Sequence, residues 1–192
     1  MVALLLLVAG LAVAADTPRG VIEETTDQVI AVLADASLAN GEKRQKIESI
    51  VAAHFNFTVL SRLVLARNWK QLSSAQQSEF VEEFRKHLSV TYGKNVEQYN
   101  NEKVVIAGER EESGGDWTVR TRIVRPAGEP ILVDYRLRRE DGKWMVIDVI
   151  IEGTSLVANF RSQFQDIISR NGVTGLLDLL RQKNAKGEAL KS

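Results

Sequence analysis

The sequence predicts an α+β fold, a four-stranded antiparallel sheet packed against several helices, on three observations. Apolar residues in the first half recur with a 3.6-residue period. Those between Lys103 and Glu152 alternate with a period of two, and the helical period returns after Gly153. Helices, a meander of strands, then helices again make a layered α+β architecture rather than a wound α/β one.

Composition bounds what such a chain can do. Its 192 residues suffice for one domain or two small ones. With 44% apolar and 26% charged residues it is globular, which excludes intrinsic disorder. Twenty-five basic residues balance 25 acidic ones, which argues against a general nucleic-acid binder. There is no cysteine, hence no disulfide, thiolate metal site or cysteine nucleophile. Two histidines, His54 and His87, leave little for a metal site or a catalytic triad.

The N-terminal segment reads as a leader. Val2 to Val13 carry no charge, and the run is too short to cross a hydrocarbon core of ~30 Å. Ala12-Val13-Ala14 or Val13-Ala14-Ala15 fits a small-x-small cleavage site, although no Lys or Arg precedes the apolar run. Residues 1–15 are therefore expected to be a cleaved signal peptide and 16–184 a single α+β domain, with 185–192 a flexible polar tail. Such a protein is exported, to the periplasm in a bacterium with two membranes.

Thr17-Pro18 caps a first helix with Ile22, Thr25, Val29, Val32 and Leu33 on one stripe. Asn40-Gly41 is expected to break it. A second helix follows from about Glu42, with Ile47, Ile50, Val51 and His54 on one face. Phe55-Asn56-Phe57 makes a corner into a short helix from Thr58 to Leu65. Ser73-x-x-Gln76 and Ser74-x-x-Gln77 are alternative capping boxes for the longest helix, whose stripe runs through Phe80, Phe84, Leu88, Tyr92 and Tyr99.

The expected strands are Lys103 to Arg110, Trp117 to Ile123, Ile131 to Arg138 and Lys143 to Glu152. Asp141-Gly142 is a two-residue hairpin signal. After Gly153, Leu156, Phe160 and Phe164 begin a helix that Asn171-Gly172 stops, and a last helix carries Leu176 and Leu180.

Counting back from Asp141-Gly142 without interruption places Leu137 opposite Val146, Tyr135 opposite Asp148 and Val133 opposite Ile150, all on one apolar face. A buried carboxylate needs a partner. Tyr135 and Arg161 are the candidates for Asp148. One reading is an isomerase-like site, with Asp148 as base and Tyr135 as oxyanion donor. The other is a structural hydrogen bond, favoured because no second polar donor converges there. Arg120, Arg122, Arg136 and Arg138 fall on the opposite face around Asp134, either as a solvated face laced by ion pairs or as a docking surface for an acidic partner.

The run Trp144-x-x-x-Asp148-Val149-x-x-Glu152-Gly153-x-Ser155-Leu156-Val157-x-Asn159-Phe160-Arg161-Ser162-Gln163-Phe164 resembles the signature of the MlaC-type phospholipid-binding family, also known as the toluene-tolerance or ABC-transporter auxiliary family. Leu63-Val64-Leu65-x-x-x-Trp69 is similar to a second family stretch, with Ala66 where a glycine is common; Ile147 replaces a usual tyrosine. The resemblance covers essentially all of the chain after the leader.

It implies a bent sheet and helices around an apolar cavity, in a nuclear-transport-factor-like cone. It implies a periplasmic, monomeric carrier of phospholipid with no catalytic role, no metal and no cofactor. The expected partners are an outer-membrane lipoprotein–porin complex and the MCE-domain subunit of an inner-membrane ABC transporter, in the service of outer-membrane lipid asymmetry. The apolar wall is assigned to Val119, Ile123, Val133, Tyr135, Val146 and Ile150 on the sheet. Phe84, Leu88 and Tyr92 on the longest helix extend it, as do Leu156, Phe160, Phe164, Leu176 and Leu180 after the sheet.

Overall fold

The computed structural model describes residues 17–190, the side chains of residues 95–97 excepted. The expected leader at 1–15 lies outside the described residues, as do the last two residues of the tail.

Helix α1 (Pro18–Ala34) starts on Thr17, whose hydroxyl accepts the Gly20 N–H at 3.0 Å, with Pro18 in the first turn. The chain then turns through residues 35–39, where Asp35 accepts both the N–H and O–H of Ser37. Helix α2 (Asn40–His54) therefore begins at Asn40, and the break falls before Asn40-Gly41 rather than on it. Glu42 makes this possible: its carboxylate accepts the Ala39 N–H at 2.9 Å and satisfies a donor at the helix start.

Asn56 caps α3 (Phe57–Leu65) through the Val59 N–H at 3.0 Å. A 3₁₀ turn over Ala66–Gln71 follows. Of the two candidate boxes, Ser73 with Gln76 opens α4 (Ser74–Tyr92). Gln77 instead donates to the carbonyls of Trp69 and Leu72. A second 3₁₀ stretch, Gly93–Gln98, leads to the sheet and carries the end of the expected stripe off α4.

The sheet has five antiparallel strands rather than four, in the order β1 (Lys103–Glu111), β2 (Trp117–Val124), β3 (Ile131–Glu140), β4 (Lys143–Ile151) and β5 (Thr154–Ser155). The fifth is only two residues, made when the chain doubles back on Ile150 and Ile151. A strand that short has no alternation to read.

The Asp141-Gly142 turn pairs Glu140 with Lys143 and Leu137 with Val146, as expected. Beyond that pair a bulge at Ile147 shifts the register, so Arg136 faces Asp148, Tyr135 faces Val149 and Val133 faces Ile151. One extra residue sends everything after it to the other face. Asp148 and Ile150 thus lie on the Arg face, away from Tyr135.

Helix α5 (Leu156–Ala185) is broken at Gly172, whose φ of 70° is open to glycine. Its first limb runs antiparallel to α4, placing Phe164 against Phe80 and Phe160 against Phe84 and His87. Its second limb returns alongside, bringing Arg181 to Glu79 and Asn184 to Glu83. Two cores result. A helical core holds Phe80, Phe84, Phe160, Phe164, Leu176 and Leu180; a smaller one joins Val21 and Ile22 of α1 to Val119, Leu137 and Val146 of the sheet. Phe55 packs against both, and its neighbour Asn56 donates to the Val146 carbonyl at 2.9 Å.

Candidate functional site

A cavity of about 750 Å³ opens where the two cores meet. Its apolar lining comes from Phe55, Phe57 and Leu60 at the α2–α3 corner, from Val149 of β4 and from Leu156 at the start of α5. Ile47 and Val51 of α2 and Leu88 of α4 form the sides. The rest of the lining is polar, with Arg44 and Glu48 of α2, Glu83, Lys86 and Ser89 of α4, and Arg181 and Asn184 of α5.

The position of α2 follows from its sequence. Its apolar stripe is sparse, and none of its residues is buried. Ile47 and Val51 are only half-covered because they face a hollow and not a packed core. The helix is held by Lys43 Nζ donating to the Leu33 carbonyl at 2.6 Å and by a hydrogen bond from the Ser89 hydroxyl to Glu48.

Several of these polar groups are paired with one another or with close neighbours. Lys86 meets Glu83 at 2.9 Å, and Arg181 pairs with Glu79 and Asp178. Burial works against the charge on Glu83, but hydrogen bonds from Lys86 and Asn184 outweigh it and hold the carboxyl below its ordinary range. Arg181 likewise holds Glu79 down. Burial alone raises the Tyr92 hydroxyl.

Of the fourteen residues assigned to an apolar wall, Leu88, Tyr92 and Leu156 line this cavity. Phe84, Phe160, Phe164, Leu176 and Leu180 fill the helical core behind it. Val119 and Val146 are in the sheet core, with Tyr135 packed against it. Burial pushes the Tyr135 hydroxyl up to about 12. Val133 is buried and Ile123 half-buried, both on the strand face that includes Tyr135. Ile150 is on the far face, against Arg120 and Asp134. Sequence periodicity missed Ile47, Val51, Phe55, Phe57, Leu60 and Val149. The α2 stripe was visible, but a stripe does not show whether it meets a core or a hollow.

The register shift dismantles the pairing of Asp148 with Tyr135. Asp148 instead accepts the Val149 N–H at 2.9 Å, the Val157 N–H at 3.0 Å and the Ser155 O–H at 2.6 Å. The Arg136 guanidinium stands 3.9 Å away. The other candidate partner, Arg161, donates twice to the Leu63 carbonyl. Asp148 is thus a buried cap for α5, with no oxygen aimed into the cavity's lining.

The expected Arg cluster does share a face. Arg138 is held by Asp116 in a bidentate pair at 2.7 and 2.8 Å, and Arg120 and Arg122 flank a shallow groove with Asp134. Among the described residues, no three His, Cys, Asp or Glu side chains converge on a metal-sized point. No described helix is long and apolar enough to cross a membrane.

The chain is similar to known proteins in sequence and in fold. The chain is 27% identical over 171 residues to toluene tolerance protein ttg2D of Pseudomonas putida, covering 84% of this chain and 78% of that one. It is 23% identical over 143 residues to the intermembrane phospholipid transport system binding protein MlaC of Haemophilus influenzae, covering 72% and 67%. A phospholipid-binding protein from Ralstonia solanacearum, solved in complex with a phospholipid, superposes with a TM-score of 0.78 at 28% identity, over 87% of this chain and 96% of that one. The model of the MlaC protein family matches residues 23–182, and by that match the chain belongs to this family.

Proposed function

We propose that this protein binds a glycerophospholipid by its acyl tails in the cavity between the two cores and carries it through the periplasm. The observation that carries the reading is the 750 Å³ hollow, lined by both apolar and charged side chains. Its size falls within the ~300–1,000 Å³ typical of small-molecule pockets. Each buried methylene is worth ~0.8 kcal/mol, so two acyl chains cost on the order of 20 kcal/mol to expose to water. A carrier must therefore enclose the tails, and needs no polar specificity toward them. The head group belongs beside the charged lining, where Lys86 and Arg181 are exposed and paired with Glu83 and Glu79.

In this reading the sheet and helices wrap the cargo as a nuclear-transport-factor-like cone. The protein shuttles between an outer-membrane lipoprotein–porin complex and an inner-membrane ABC transporter with an MCE-domain subunit, and serves outer-membrane lipid asymmetry. The solved relative with its phospholipid and the relative named for intermembrane phospholipid transport support it. It assigns no catalytic role; a cap buried under α5 is a poor general base.

Mass spectrometry of an organic extract of the protein, purified from periplasm, tests the reading. Stoichiometric phospholipid is expected. A folded protein that yields none, and takes none from vesicles, sinks it.

A further inference from the structure

A cargo with two acyl chains has to enter and leave this cavity past the elements that line it. Those walls differ in what moving them breaks.

Helix α4 is fixed by Phe80 and Phe84, both fully buried, and α5 by Phe164, Leu176 and Leu180. Strand β4 is held in the sheet with Val146 at its buried centre. Helix α2 has no buried residue to lose. It lies between two non-helical joints, residues 35–39 and Phe55–Asn56, and the second is anchored by the Asn56 hydrogen bond to Val146. It meets α4 through Glu48 and Ser89. One turn further on, the Arg44 side chain lies so close to Gly93 that an added Cβ would stand 3.3 Å from its Nε.

Resting on the carrier reading above, we propose that α2 is the gate of the cavity. It swings about Phe55–Asn56, the lipid enters and leaves between α2 and α4, and the Glu48–Ser89 hydrogen bond is the latch.

The chain has no cysteine, so a Glu48→Cys/Ser89→Cys variant carries only the two thiols at the latch. The variant is loaded with a fluorescent NBD-labelled phospholipid. Its release to phosphatidylcholine vesicles is followed after bridging with dibromobimane, and after blocking with monobromobimane as control. Bridging is expected to slow release at least about tenfold relative to the blocked control. Equal rates in bridged and blocked protein overturn the gate while leaving the carrier reading intact. Failure of the unmodified protein to take up the probe overturns the carrier reading, and the gate with it. In an otherwise native chain, Glu48→Gln replaces a charge-assisted hydrogen bond with a neutral one and is expected to speed release about tenfold or less. Unchanged release in that variant also counts against the latch.

Discussion

The Asp148 carboxylate accepts the backbone N–H of Val157 at 3.0 Å, and so ties strand β4 to the first turn of α5. Ser155, the helix cap, donates to the same carboxylate and accepts from Ala158. The two side chains together satisfy donors that the start of α5 leaves open. Nearby, Arg161 donates to the Leu63 carbonyl, and Gln165 accepts from Asn68. The two sequence stretches that carry the family resemblance are therefore in contact, and their residues act as one joint.

Asp148→Ala removes the acceptor from Val157 and Ser155 in a site 3% exposed. Buried donors left unpaired cost about 1–3 kcal/mol each. A loss of about 3 kcal/mol is expected in urea unfolding, with lipid content preserved in the protein that folds. A neutral Asp148→Ala would show that the joint does not hold the fold.

Val51→Trp separates the cavity from the core. Val51 points at the hollow and can grow into it, so the variant is expected to fold with near-normal stability and to lose most of its lipid. Val146→Glu puts a charge where the wild-type side chain is fully buried, and is expected to fold poorly whatever the lipid does. Circular dichroism melts with mass spectrometry of extracts distinguish the two. A Val51→Trp protein with its full lipid complement would remove α2 from the cavity wall.

These two positions also mark what a sequence can and cannot disclose. The Asp141-Gly142 turn fixed the register as far as Leu137 and Val146. The bulge at Ile147 then escaped notice, because an extra residue within a nearly continuous apolar run leaves no gap in its pattern. The cap at Ser73 was legible because a capping box is local chemistry. The hollow beside Val51 was not, because a helix stripe reports only that one face avoids water, and an empty wall and a filled one satisfy that equally.

His87 gives the stability a pH dependence. Its ring is 1% exposed, with Nδ1 3.1 Å from Asn184 Oδ1 and Nε2 accepting the Leu190 N–H at 3.3 Å. The Asn184 amide donates to Glu83, which turns its oxygen toward His87 and makes Nδ1 the protonated nitrogen. Burial lowers the pKa, the Asn184 hydrogen bond opposes this, and the Lys183 charge adds to it. The unfolded chain therefore takes up a proton first, near about pH 6.5. Stability is lost as pH falls from there toward the lower folded value. The stability advantage of wild type over His87→Gln is expected to shrink between about pH 7.5 and 5 in urea titrations, with Glu83 and Lys183 common to both proteins. A pH-independent difference would mean that folding leaves the affinity of His87 for a proton unchanged, and an advantage that grows toward low pH would mean that the folded ring is held protonated.

Ala66 stands where the sequence resemblance led glycine to be expected, and its backbone favours glycine. It ends α3 with φ 49° and ψ −123°, a conformation that a Cβ disfavours. Its side chain is exposed, so little packing is lost on removing it. A strained residue of this kind costs about 1–3 kcal/mol, whereas glycine gives back about 0.4–1 kcal/mol through the freedom of the unfolded chain. Ala66→Gly is therefore expected to stabilise the protein by about 1 kcal/mol, seen as a higher urea midpoint with an unchanged slope. Ala66→Val, branched at Cβ, should move the midpoint the other way. A lower midpoint for the glycine variant would show that entropy outweighs strain at the end of α3.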